Sequence, residues 1–178
     1  LIFDGNSFIL DKKGLKSKQL KSFKEDFYCW NANENNSHLE KKRPISKFET
    51  IFDALVLGVK DYANKCGFKT ALIGLSGGID SALVTVIATA AFGHENVFAI
   101  AMPSKWNSLD SKIDAEELAK NLNINFNILP INDIVKTFES DFQKFLRTTI
   151  NGIANENIQS RIRGTLLMAL ANQNNHLL

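Results

Sequence analysis

Residues Ala71–Ser81 read Ala-Leu-Ile-Gly-Leu-Ser-Gly-Gly-Ile-Asp-Ser. An apolar run stops at a serine and two glycines, and an aspartate and a serine then open a helix-like segment. This pattern commits the span to a buried strand, a tight loop and a helix N-terminus. Glycines let backbone amides approach a ligand closely, and a helix N-terminus carries positive partial charge. An anion of phosphate size suits both conditions. The Ser76 and Ser81 hydroxyls add donors, and Asp80 supplies a hard oxygen ligand of the kind that holds hydrated magnesium. The span is a candidate nucleotide-phosphate site. It contains neither the Gly-Lys-Ser/Thr of a P-loop nor a Gly-x-Gly-x-x-Gly fingerprint.

The flanking sequence extends this unit. Ser46-Lys47-Phe48-Glu49 is a capping box, and Phe48, Phe52, Leu55, Val59 and Tyr62 follow at helical spacing up to a stop at Gly67. A helix is expected from Ser81 to about Phe92; its near lack of polar residues predicts that it packs inside. Val97–Met102 and Phe126–Leu129 read as further strands, each stopped by a proline. Helices are expected from Ser111, with Ala115, Leu118, Ala119 and Leu122 as the buried stripe, over Asn132–Leu146, and over Glu156–Asn172. Alternating strands and helices predict an α/β fold with a doubly wound parallel sheet. Ligands of such sheets bind beyond the strands' carboxyl ends, where Ser76–Ser81 and Met102–Ser104 would both lie. Ahead of this core, Leu1–Leu10 reads as a strand or hairpin arm, Phe23–Trp30 as a short aromatic-rich stretch and Asn31–Arg43 as a linker. The main domain is expected to start near Pro44.

Bulk properties narrow the partners. A formal charge of +2 across 178 residues gives no argument for nucleic acid or an acidic membrane surface. The basic stretches Lys12–Lys24 and Lys41–Arg43 lack interleaved stacking aromatics and are expected to be solvated. No apolar run approaches the ~20 residues of a membrane span. Cys29 and Cys66 have no metal-ligand spacing and suggest no disulfide framework, which fits a cytoplasmic location. Cys66 is expected in the core. His38, His94 and His176 have no partners at catalytic spacing.

Ser-Gly-Gly-x-Asp-Ser resembles the pyrophosphate loop of the ATP pyrophosphatases. Met102-Pro103-Ser104, Asp114-Ala-Glu-Glu-Leu-Ala and Glu156-Asn-Ile-Gln-Ser-Arg-Ile-Arg-Gly-Thr-Leu-Leu-Met-Ala-Leu-Ala-Asn172 follow in order. Together they resemble the synthetase domain of the glutamine-dependent NAD synthetases, and Asp4-Gly-Asn-Ser-Phe-Ile-Leu-Asp11 is similar to the tail of that family's nitrilase-like glutaminase domain. The resemblance implies a Rossmann-like, adenine nucleotide alpha hydrolase-like fold over 44–178, a linker over 31–43 and a short glutaminase tail over 1–30. It implies a carbon–nitrogen ligase reaction: ATP-dependent amidation of deamido-NAD through an adenylylated carboxylate, releasing AMP and pyrophosphate. Ammonia would come from glutamine at an upstream domain. A homo-oligomer without nucleic-acid or membrane partners is also implied. Leu1 is not a methionine, and both ends are expected to be cut. The family's glutaminase residues would lie before Leu1, and a Thr-Gly-Asn-Lys-Ser-Glu-like segment beyond Leu178.

The same resemblance assigns ATP contacts to Gly74, Leu75, Ser76, Gly77, Gly78, Ile79, Asp80 and Ser81, with Ser76 and Asp80 as catalytic residues and Asp80 as the magnesium ligand. It assigns deamido-NAD contacts to Asn157 and Arg161. Helical spacing places these two on one face with Gly164. From the residues alone, Arg161 and Arg163 are equally ordinary exposed helix charges. Arg163 points to nearly the opposite face, where a structural ion pair is expected. The loop after Met102 departs from the family pattern, because Asn107 stands where a serine is usual; Ser104, Lys105, Ser108 and Ser111 remain. A GMP synthetase-like or tRNA-modifying enzyme with another acceptor, and a nucleotide-binding module without chemistry, stay open.

Overall fold

The computed structural model describes residues 1–31, 45–104 and 109–178. The linker after Asn31, Pro44, His38, Lys105, Asn107 and Ser108 lie outside the described residues. The chain divides into two compact units, Leu1–Val59 and Lys60–Leu178.

In the first unit, β1 (Phe8–Leu10) and β2 (Lys16–Gln19) form an antiparallel hairpin, as the alternation near the N-terminus predicts. Asp11 Oδ1 accepts from the backbone N–H groups of Lys13 and Leu15, both at 2.8 Å, and so holds the turn. Phe23–Trp30 forms no helix or strand. Helix α1 (Lys47–Cys66), whose residues from Lys60 on belong to the second unit, begins where the capping box places it, with the Glu49 N–H donating to Ser46 Oγ at 3.1 Å. Its apolar stripe is largely exposed: Phe48, Leu55 and Tyr62 are open to solvent and Ala63 is its buried residue. Cys66 is exposed rather than in the core, because it sits on the last turn beside the chain reversal at Gly67. A hydrogen bond to Cys66 raises the Tyr62 phenol above its usual pKa.

In the second unit, β3 (Ala71–Gly74), β4 (Val97–Ala101) and β5 (Asn125–Ile128) form a parallel sheet in the order β3-β4-β5. Helices α2 (Ile79–Phe92), α3 (Leu109–Asn121), α4 (Asn132–Leu146) and α5 (Ile153–Asn174) connect or follow the strands. Side-chain alternation assigns the two faces. Leu72, Phe98 and Ile100 pack with Ile131, Val135 and Ile162 on the α4–α5 side. On the opposite side Ala71, Ile73 and Val97 meet Ala88 and Phe92 of α2, while Ala99 meets Ala115 and Ala119 of α3. Both faces are therefore covered, which accounts for the near-continuous apolar character of β3 and β4.

On the free edge of β3, Leu177 forms a parallel bridge with Ala71: the Leu72 N–H donates to Leu177 O at 2.8 Å, and the Leu177 N–H to Thr70 O at 2.9 Å. Chain progress runs from β3 through β4 to β5 on one side and returns to Leu177 on the other. The direction of winding therefore reverses at β3, and such a reversal opens a crevice at the strand's carboxyl end.

Three helices depart from expectation, α5 by starting three residues early at Ile153 and ending two late at Asn174. Helix α2 starts at Ile79, two residues early, and does not pack inside. Only the face carrying Thr85 and Ala88 meets the sheet, whereas Ile79 (82%), Leu83 (54%) and Val84 (53%) are exposed. Thr85 can be buried because its hydroxyl donates to Ser81 O at 2.7 Å within the helix. Helix α3 also begins two residues early, at Leu109, with Ala115 and Ala119 buried as its stripe predicts.

Candidate nucleotide site

The loop after β3 stands at the reversal point. Leu75 is 1% exposed and packs against Ala99 and Ala115, so only its backbone faces the crevice. Its N–H donates to Ile100 O at 2.9 Å, the last β-type bond before the chain leaves the sheet. Ser76 then turns outward. Its hydroxyl lies 3.0 Å from that of Ser81, accepts the Gly78 N–H at 3.2 Å, and Ser81 Oγ also accepts the Ser76 N–H at 3.2 Å. Ser81 Oγ donates to Gly78 O at 2.9 Å. Two hydroxyls and the loop backbone are thus tied into one small ring.

Gly77 adopts φ +83°, and a Cβ there would lie 2.0 Å from the carbonyl oxygen of Ser111. The loop therefore rests against the first turns of α3, a contact that excludes any side chain. Gly78 caps α2 without a side-chain hydrogen bond, which leaves the amides of the first turn for water or a ligand. Gly74 is closely approached from α5: a Cβ would lie 2.9 Å from Leu167 Cδ1.

These elements line a pocket of about 250 Å³, floored by Gly74–Ser76 and Ile100–Pro103 and walled by Ser111, Lys112, Arg163 and Leu167. Arg163 is half-buried. Its Nε donates to Met102 O at 3.0 Å and its Nη2 to Ser104 Oγ at 3.4 Å. Desolvation lowers its pKa from the ordinary arginine value. Arg163, for which a structural ion pair is expected, is also a wall of the pocket.

Of the residues singled out in the sequence, Gly74, Leu75 and Ser76 line this pocket, and Gly77, Gly78 and Ser81 shape the loop beside it. Ile79 and Asp80 are exposed on the first turn of α2. The Asp80 carboxylate has no hydrogen-bond or ion-pair partner among the described residues. Among those residues no cluster of three or more His, Cys, Asp or Glu gathers. An exposed carboxylate beside a candidate phosphate loop is a donor of the kind magnesium accepts, since that ion takes one or two carboxylates and completes its shell with phosphate oxygens and water.

Asn157 and Arg161 do not reach the pocket. They are exposed with Gly164 and Met168 on one face of α5, and Arg163 faces the other way, as 100° per residue requires. Among the described residues, the cations lining the pocket are Arg163 and Lys112, neither of which the sequence placed there. A signal was available for Arg163, since it shares the buried face defined by Gln159, Ile162 and Leu166. Lys112 had none, because an exposed lysine early in a helix is commonplace. The His176 ring lies tilted by 35° against Phe98 with centroids 4.8 Å apart and its Nδ1 is 2.6 Å from Thr70 Oγ1, and His94 Nδ1 lies 3.2 Å from Asn123 O. Both occupy structural positions away from the loop.

The NAD synthase family model matches residues 51–178. A glutamine-dependent NAD(+) synthetase of Synechocystis is 44% identical over 182 residues, covering 100% of this chain and 33% of that protein. The glutamine-dependent NAD+ synthetase of Acinetobacter baumannii, solved with adenosine diphosphate, superposes with TM-score 0.85 at 38% identity, covering 96% of this chain and 33% of the other. The NMN synthetase of Francisella tularensis superposes with TM-score 0.64 at 32% identity, covering 70% of this chain and 50% of the other. The chain thus spans about a third of the length of the curated relative. Among the described residues no helix is long and apolar enough to cross a membrane. With the loop, the parallel sheet and the matched length in agreement, this chain belongs to the NAD synthase family.

Proposed function

We propose that the chain carries the ATP-dependent adenylylating site of an amidation of deamido-NAD to NAD. One observation carries this reading: Ser76, Gly77, Gly78 and Ser81 form a hydroxyl- and amide-lined turn at the carboxyl end of β3, opening onto a pocket large enough for a nucleoside. The α2 N-terminus and this ring would receive the β- and γ-phosphates, and the adenosine would lie over Ile100–Pro103. A carboxylate oxygen of the nicotinate attacks the α-phosphorus, the bond to the bridging oxygen breaks and pyrophosphate leaves. Ammonia then attacks the acyl carbon, AMP departs with the electron pair of the acyl–oxygen bond, and a proton is lost to solvent. The chain's contribution is positioning and charge neutralisation. Asp80 would hold magnesium, whose charge offsets that of the phosphates.

Asn157 and Arg161 would contact the dinucleotide from the exposed face of α5, at a second site continuous with a neighbouring subunit in a homo-oligomer. Ammonia would be delivered from glutamine by a domain preceding this one, and residues 1–30 would be the tail of that domain. The cytoplasm, where exposed thiols such as Cys29 and Cys66 stay reduced, is the compartment that fits.

The test is isotope exchange between labelled pyrophosphate and ATP without ammonia. Exchange that requires deamido-NAD supports adenylylation of that carboxylate. Exchange that responds to nicotinate mononucleotide and not to deamido-NAD would assign the acceptor suggested by the name of the Francisella relative. Exchange with neither would leave nucleotide binding without this chemistry.

A further inference from the structure

The end of β4 shows an unusual division of backbone partners. Ile100 O accepts the Leu75 N–H at 2.9 Å, Ala101 O the Leu129 N–H at 2.8 Å, and Pro103 O the Ile131 N–H at 3.1 Å. The carbonyl of Met102 points to the β3 side, just where β3 has turned away into the phosphate loop. No backbone amide among the described residues bonds to it, and Arg163 Nε takes that place at 3.0 Å. The other arm of the same guanidinium reaches Ser104 Oγ at 3.4 Å, two residues further along the chain. Met102 and Ser104 are both at most 9% exposed, so the segment is held inward and is not a free loop.

We propose that Arg163 is a positioning residue for the nucleotide: it bridges the gap opened by the departure of β3 and so holds Met102–Ser104 as the wall against which the adenosine rests. The inference rests on the ATP reading of the pocket and deepens it. Arginine suits the task because its planar fork presents Nε and Nη2 donors at a fixed separation, whereas the three donors of a lysine ammonium share one freely rotating nitrogen. The phosphate loop itself is built from Ser76, Gly78 and Ser81, none of which bonds to Arg163 among the described residues. Phosphate affinity and adenosine affinity should therefore separate on substitution.

The experiment measures binding of two probes, magnesium ATP and magnesium tripolyphosphate, to the chain and to Arg163→Lys by titration calorimetry. Arg163→Lys should weaken ATP about tenfold and leave tripolyphosphate within about twofold. Ser104→Ala, which removes the Nη2 acceptor, should weaken ATP about threefold, and it serves where Arg163→Lys does not fold. Equal loss of both probes would make Arg163 a general structural residue and overturn the proposal, as would unchanged binding of both. If the unsubstituted chain binds neither probe, the phosphate reading of the loop fails first and the inference falls with it.

Discussion

Replacing Gly77 by alanine tests how the proposed phosphate loop is built. Two costs add at this position. The first is conformational: an L-residue at φ +83° carries about 1–2 kcal/mol of strain. The second is steric. The new Cβ would lie 2.0 Å from Ser111 O, 2.7 Å from its carbonyl carbon and 2.8 Å from its Cα, and all three are backbone atoms that cannot rotate away. Reaching even a 3.0 Å approach requires the loop or the head of α3 to move by about 1 Å, and overpacking of this kind costs roughly 1–3 kcal/mol. Together the two give about 2–5 kcal/mol. Gly67 provides the comparison. It has φ +80°, and a Cβ there would meet nothing within 4 Å, so its alanine variant incurs only the first cost. The assays are thermal melting by circular dichroism and calorimetric titration with magnesium tripolyphosphate. Gly67→Ala should lower Tm by about 2–8 °C and bind the probe normally. Gly77→Ala should lower Tm further and weaken the probe by at least about thirtyfold, since a displacement of about 1 Å breaks the Ser76–Ser81 ring. Equal melting of the two variants with intact tripolyphosphate binding by Gly77→Ala would refute the reasoning.

Other substitutions separate the roles of the remaining residues. Asp80→Ala should abolish magnesium-dependent release of pyrophosphate from ATP while leaving Tm within about 2 °C, because the side chain is exposed and unpartnered among the described residues; unchanged release removes Asp80 from the site. Arg161→Ala should raise the KM for deamido-NAD about tenfold or more and leave that for ATP unchanged, since its face of α5 lies off the pocket; equal losses for both substrates would count against it. Partial burial lowers the His176 pKa, so the fold favours the neutral ring. Its stabilising contribution is present above the unfolded value of about 6.5 and is lost as pH falls through the lower folded value. Tm should therefore drop between about pH 7 and pH 5 with a shallower slope in His176→Gln, and identical slopes would remove His176 as a cause.

The parts of this architecture that follow from local pattern were legible in the sequence. Asn132–Leu146 forms a helix with the expected bounds, because its apolar period of about 3.6 and the flanking Pro130 leave one solution. The β3–loop–α2 unit was legible for the same reason, since two glycines after a buried run admit few backbones. What escaped depends on tertiary placement. Helix α2 looks apolar all round, yet the sheet covers only its Thr85–Ala88 side, and no pattern within the helix says how much of it a partner will cover. Arg161 and Arg163 are indistinguishable by type. One faces solvent and the other a pocket because β3 and α5 cross where they do. The Arg163–Met102 bond spans 61 positions in the chain, and contacts of that range leave no local signature. Likewise, Cys66 reads as a small apolar residue at a helix end but is exposed.

The most direct test of the central claim is to incubate the protein with ATP, magnesium, ammonia and deamido-NAD and to quantify AMP and NAD by mass spectrometry over time. The account predicts that AMP and NAD accumulate in equal amounts, with neither formed when deamido-NAD is omitted. ATP binding without formation of either product, or AMP formation independent of deamido-NAD, would contradict it.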